Sequence, residues 1–244
     1  MRVFFLLMFV SLSILGEDKK VIRIFTALCD NDHQGIVKVP KKLGDGDDPT
    51  NNLYWGAAYG IKTWFKKSKE WELLSSDKVN DIILERLIFL HKDKKTYLVA
   101  DAYRGREMKA CLTDYFSCLA GVLKNDDHLT GKGFLMGQTK LAVFVGHNGL
   151  MDFKLIQPQG KGKIDAMSFC CKSRSFFEKE IKNKDCRPLL LTNGFMAPEA
   201  YSVSASIEGW LAGNTAEGIV RRAASAYQKY QKCSHKAAYN LFKP

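Results

Sequence analysis

No Cys-x-x-Cys pair occurs in the 244 residues, which removes zinc ribbons and thioredoxin-type redox sites from consideration. Beyond residue 15 no apolar run is long enough to cross a bilayer, so no stable membrane span is expected. Internal repeats and low-complexity linkers are also missing, so residues 20–244 are expected to form one domain. Lysine and arginine outnumber aspartate and glutamate by 37 to 26, a formal net charge of +11. The basic residues are scattered in short groups, such as Lys41-Lys42, Lys66-Lys67 and Lys94-Lys95. No basic helical stripe interleaved with aromatics appears. The excess therefore reads as a solvated surface, and nucleic acid is not an expected partner.

Metal and phosphate motifs are incomplete. His33 follows Asp30 and Asp32, but these ligands are too few and too local for a metal site. Asp45, Asp47 and Asp48 sit among glycines without the spacing or terminal glutamate of an EF-hand. Gly131-Lys132-Gly133 lacks the full phosphate-loop spacing. No metal and no cofactor is called for.

What is present favours a sizeable core. Hydrophobic residues make up 46% of the chain, which argues against disorder. Arg2 precedes a short apolar run, Val3 to Leu15, then Gly16 and the charged residues Glu17 to Lys20. That is the layout of a signal peptide over residues 1–16, with cleavage near Gly16 and a secreted or periplasmic product. The 7 cysteines are an odd number, so at least one thiol stays outside any intrachain disulfide.

The pattern along the chain alternates strands and helices. Val21 to Leu28 reads as a buried strand, followed by the polar loop Cys29 to Gly35 and a longer loop over residues 36–52. A helix is predicted over Leu53 to Lys66, capped by Asn51-Asn52. Val79, Ile82, Ile83 and Leu87 have helical spacing within Val79 to His91. A strand follows at Thr96 to Ala100, then a helix at Glu107 to Val122. Pro188 to Thr192 is a further strand, and Ser204 to Ala212 and Ala216 to Leu241 are helical. The alternation predicts an α/β fold with a mostly parallel sheet flanked by helices on both faces.

Two segments carry the chemistry. Lys140-Leu-Ala-Val-Phe-Val-Gly-His147-Asn-Gly149 is an apolar strand that stops at a histidine and a glycine-bearing turn. Lys163-Ile-Asp-Ala-Met-Ser-Phe-Cys170-Cys171 is a second, stopping at a cysteine pair before a helix-like run, Phe176 to Ile181. Taken alone, His147 is an ordinary structural histidine and Cys171 a small buried hydrophobe. Together, on neighbouring strand ends, they are what a cysteine hydrolase on a parallel sheet needs: a thiolate to attack and an imidazole to move protons. Strand alternation sends Cys170 and Cys171 to opposite faces, so one is core and the other faces the site.

The flanks Val145-Gly146-His147-Asn148-Gly149 and Phe169-Cys170-Cys171-Lys172-Ser173 resemble those of the caspase-like cysteine peptidases, which include caspases, metacaspases, legumains, gingipains and clostripain. The resemblance implies a caspase-like three-layer sandwich and an exported endopeptidase acting on a peptide or protein substrate. It implies Cys171 as nucleophile and His147 as general acid and base. It also implies an oxyanion site from the backbone N–H of Cys171 and of Asn148 or Gly149. In the family glycine usually follows the histidine directly, whereas here Asn148 intervenes. Metacaspase-type enzymes carry an aspartate two residues before the nucleophile, and Phe169 takes that place. Substrate binding is accordingly assigned to Phe169 with Asp30 and Asp32, the two aspartates supplying acid for a basic side chain. The competing functions are a catalytically silent caspase-like domain that binds peptide or protein, and an unrelated exported α/β binding protein.

Overall fold

The computed structural model describes residues 19–93, 95–124, 129, 131–132 and 138–243. The expected leader over residues 1–16 and Gly133 lie outside the described residues. Seven strands form one sheet: β1 Lys20–Ala27, β2 Trp71–Asp77, β3 Ile83–His91, β4 Thr96–Tyr103, β5 Thr139–Val145, β6 Asp165–Phe169 and β7 Arg187–Leu190. Their spatial order is β2-β3-β4-β1-β5-β6-β7. The pairings from β4 to β7 are parallel, and the β2–β3–β4 edge is antiparallel. Among the described residues six α-helices are delimited: α1 Ile61–Lys67, α2 Met108–Ala120, α3 Ser173–Lys182, α4 Ala200–Leu211, α5 Ala216–Gln231 and α6 His235–Phe242.

Both faces of the sheet are covered. Ile22 and Ile24 of β1 and Leu141, Val143 and Val145 of β5 pack with α1, α4, α5 and α6. Phe25 and Ala27, with Ala142 and Phe144, point the other way onto α2 and α3. This two-sided burial is why β1 and β5 read as unbroken apolar runs rather than alternating ones. Each fully buried Phe or Leu side chain contributes roughly 1.5–3 kcal/mol. One charged cluster interrupts the core. Asp101 of β4 accepts from Arg23 of β1 at 2.8 Å and from Arg86 of β3 at 2.5 and 2.9 Å, all three being buried. Burial alone would raise the Asp101 carboxyl pKa, but the two guanidiniums outweigh it and hold it below the ordinary range. The cluster ties the antiparallel edge to the parallel sheet, and removing one partner of such a group costs about 3–5 kcal/mol.

Several elements depart from the sequence pattern. Residues 83–91 form a strand, not a helix, because β3 has a partner on each side and buries both its faces. The Ile83–Leu87 spacing fits either period over so short a stretch. β2 is an edge strand with alternating exposure and carries only a weak apolar signal. Helix α1 starts at Ile61, eight residues later than expected. Asn52 does not cap it. Its buried side chain instead accepts from the Cys29 N–H and donates to the Cys29 and Asp45 carbonyls, closing the loop after β1. The long C-terminal helix is two helices. α5 ends at Lys232 in the left-handed region, and Ser234 caps α6 by accepting from Ala237 N–H. Among the described residues no helix is long and apolar enough to cross a membrane.

Candidate active site

β5 and β6 are parallel neighbours, with Val145 opposite Phe169. His147 and Cys171 each lie two residues past those strand ends, at the carboxyl edge where open α/β sheets build their sites. Gly146 makes the turn with φ +145°, and a Cβ there would meet the Ala27 carbonyl oxygen at 3.0 Å. Glycine is therefore needed where the chain leaves β5 beside β1. On the other strand Lys172 takes the left-handed conformation, and its N–H donates to Gly194 O at 2.8 Å. α3 begins at the next residue. Ser173 donates to Ser168 O at 3.0 Å and accepts from Thr192 N–H at 2.8 Å, so the turn is locked from both sides.

His147 and Cys171 line one cavity of about 510 Å³. Its walls come from Ile36, Val37 and Val39 of the loop after β1, from Leu53 and Tyr54, from Met151, and from Phe195 to Glu199 after β7. The cysteine pair splits as the strand alternation predicts. Cys170 is fully buried among α2 and α3 side chains, while Cys171 is half-buried and opens to the cavity. Burial, then the neighbouring Cys171, push the Cys170 thiol well above its ordinary pKa. Burial likewise pushes the Cys29 thiol up to about 11. A thiol held protonated is a poor nucleophile, so neither competes with Cys171. The Cys171 sulfur accepts from Met196 N–H at 3.4 Å and lies 3.7 Å from Met196 O.

The sequence did not single out Asp152, and of Asn148 it marked only the backbone N–H, not the side chain. Asp152 Oδ2 lies 2.7 Å from His147 Nε2 and also accepts from Gly35 N–H at 3.2 Å. A Cβ at Gly35 would meet Asp152 Oδ1 at 2.6 Å, so a bare backbone is required for that approach. With the Nε2 proton given to this carboxylate, Nδ1 is left as the nitrogen with a lone pair. Asn148 is fully buried. Its Nδ2 donates to Cys171 O at 2.7 Å, and its Oδ1 accepts from Leu150 N–H at 3.1 Å. The residue that departs from the family pattern thus fastens the histidine turn to the cysteine turn. A carboxylate five residues past His147 was the sequence signal for Asp152, and the intervening Asn148 was itself the signal for the second.

The remaining residues expected in the site lie elsewhere. The Gly149 N–H donates to His147 O at 3.1 Å, inside a short 3-10 turn over Gly149–Met151. Phe169 is fully buried and packs edge-on against Phe242 of α6. Asp30 and Asp32 line a separate hollow with His33, Asp45 and Asp47, and none of its walls is shared with the Cys171 cavity. Asp30 accepts from the N–H groups of Asp32 at 3.0 Å and His33 at 3.2 Å. Other polar residues at the same edge are committed to the fold: Asp101 belongs to the buried arginine cluster, and Arg104 pairs with Asp47 at 3.0 Å. Asn193 holds the end of α6 through the carbonyls of Asn240 and Lys243. Compared with models of protein families, with curated proteins and with solved structures, the chain matches none of them.

Proposed function

We propose that the chain is an exported cysteine endopeptidase of the caspase-like type, with Cys171 as nucleophile and His147 as its acid and base. The observation that carries the reading is that both side chains, from adjacent parallel strand ends, open into one cavity. Asp152 supplies the third group that orients the imidazole. The Cys171 thiolate attacks the substrate carbonyl carbon, forming a C–S bond and a tetrahedral oxyanion. The backbone N–H of Cys171 and of Asn148 stabilise that charge, the Gly149 N–H being spent in its own turn. His147 then protonates the amine nitrogen as the C–N bond breaks, leaving a thioester. Next it takes a proton from water, which attacks the thioester and releases the acid and the thiol.

The cavity wall bears on the substrate. Ile36, Val37, Leu53, Met151 and Phe195 are apolar, and Val37, Met151 and Phe195 are exposed at its edge. Its one carboxylate, Glu199, already accepts from Tyr201 at 2.7 Å and Gln231 at 2.9 Å. An apolar side chain next to the cut fits this wall better than a basic one. A peptide library and a peptidyl acyloxymethyl ketone probe test the reading together. Covalent labelling confined to Cys171, with cleavage after apolar residues, supports it; a library left uncut and a Cys171 left unlabelled refute it.

A second reading, a peptide-binding domain of the same fold without turnover, is favoured by the commitment of the Gly149 N–H to His147 O. Under it, peptides bind the cavity and the Cys171→Ala variant binds them equally well.

A further inference from the structure

We propose that Glu70, His91 and Glu208 bind a divalent transition metal ion of the zinc type. One carboxylate oxygen from each glutamate and one imidazole nitrogen lie within 4.8 Å of one another. The three sit at the sheet end opposite Cys171. His91 closes β3, which runs antiparallel to β4, so it stands beside the start of the parallel strands. Glu70 immediately precedes β2, whose first residue, Trp71, pairs with His91. Glu208 comes from the last turn of α4. They are far apart in sequence, and no spacing motif announces them.

A second, independent observation points to an occupant. His91 is only 7% exposed, yet its Nε2 has no hydrogen-bond partner. That nitrogen is turned toward Glu208, with Oε2 at 3.7 Å. On the other side of the ring, Nδ1 accepts from the Asp93 N–H at 3.3 Å and lies 3.2 Å from Asp93 Oδ2. As the ring stands, Nε2 carries the proton toward Glu208 without a hydrogen bond; an ion there would displace it, the ring proton passing to Nδ1, which faces Asp93 Oδ2. A carboxylate on one imidazole nitrogen and a metal on the other is the usual arrangement of a ligating histidine. The Glu208 carboxylate is oriented in turn by Trp71 Nε1, which donates to Oε1 at 3.0 Å.

Imidazole and carboxylate donors suit zinc or its neighbours in the first transition row. Bonds of about 2.0–2.2 Å to one ion require the three atoms to close up to about 3.4 Å, within reach of rotating two glutamate side chains. The Lys92 ammonium pairs with Glu70 and is the resident counter-charge. Its side chain is 63% exposed and can swing into solvent when the ion takes its place. The ion would clamp the β2–β3 edge to α4. A protonated His91 is the competing occupant of the same gap.

The full chain is stripped with a chelator and titrated with zinc(II) by calorimetry, and its melting temperature is followed. A parallel sample receives cobalt(II), whose spectrum separates nitrogen–oxygen ligation from thiolate ligation. That matters because all seven cysteines are free. Expected are one equivalent bound, a raised melting temperature, and cobalt d–d bands without a thiolate charge-transfer band. Glu70→Gln and Glu208→Gln keep the side-chain shape and should fold even if His91→Ala does not. Each should weaken binding at least ~10-fold, the lower bound for disturbing a metal's surroundings. Failure to bind, wild-type affinity in both glutamine variants, or a thiolate band overturns the proposal, and the first two outcomes leave the reading of Cys171 untouched.

Discussion

Two histidine–carboxylate pairs stand at the carboxyl edge of the same parallel strands, and they differ in what surrounds them. His147 Nε2 lies 2.7 Å from Asp152 in a turn after β5, and His33 Nδ1 lies 3.0 Å from Asp30 in the loop after β1. The His147 ring is buried, beside an apolar cavity that also holds a thiol. The His33 side chain is 51% exposed over a polar hollow. In the first pair the carboxylate is the more exposed partner and the imidazole lines the cavity. In the second the carboxylate is buried and turned to its own loop, and the imidazole is the outer member. A His–Asp contact by itself therefore marks nothing; the half-buried thiol and the apolar wall beside it make the difference.

The widest gap between the two pairs should appear in turnover. Cys171→Ala is expected to abolish peptide cleavage, and His147→Ala to lower kcat by ~10²–10⁴-fold, the usual span for general acid–base help. Cys170→Ala should retain most activity, because its side chain lies on the far face of the strand. Steady-state kinetics on a library-selected peptide, with circular dichroism to confirm folding, reads all three. Activity surviving in Cys171→Ala but lost in Cys170→Ala would reverse the assignment of the pair.

A smaller effect is expected at Asp152. Asp152→Asn keeps the shape but loses the carboxylate charge that holds the His147 ring. We expect kcat to fall by ~10–100-fold, the size found when a group that only orients its neighbour is removed. KM should hold steady and the lower limb of the pH–rate profile should move. A profile unchanged in both height and shape would make Asp152 a bystander.

The matching change in the second pair should register as stability. Asp30 is 5% exposed, and Gly46 and Gly105 press so closely that a Cβ on either would meet its carboxylate at 2.3 and 2.6 Å. Asp30→Ala removes the acceptor of the part-buried Asp32 and His33 N–H bonds, each such bond contributing about 0.5–1.5 kcal/mol net. Urea unfolding should show the loss. A cleavage profile that shifts from basic toward apolar residues in this variant would instead restore Asp30 to the substrate side.

How far these features could be read in advance follows from their physics. β1, β5 and β6 were legible because helices cover both faces and leave continuous apolar runs that end in polar residues. The thiol and imidazole were legible because each stands where such a run stops. Residues 83–91 were not, since strand pairing on both sides overrode a spacing that also suits a helix. The break between α5 and α6 was signalled by Ser234, a good capping residue inside an apparently continuous helix. Asp152, and the side-chain role of Asn148, were invisible. Their roles depend on where a turn of a few residues aims them, and no period or composition encodes that.

The smallest effect is expected at His33, where the comparison is sharpest. His33→Ala removes an imidazole from the same kind of contact that His147 makes. The Asp30 carboxylate, however, keeps both backbone donors, because those belong to the main chain. What is lost is an ion pair with one half-exposed member, worth about 0.2–1 kcal/mol. The midpoint of urea unfolding should shift slightly, and cleavage by Cys171 should be unchanged in kcat and in pH profile. The His147→Ala and His33→Ala proteins should thus differ by at least ~10²-fold in rate. If His33→Ala slows cleavage comparably, the two hollows act as one site and the division between the pairs collapses.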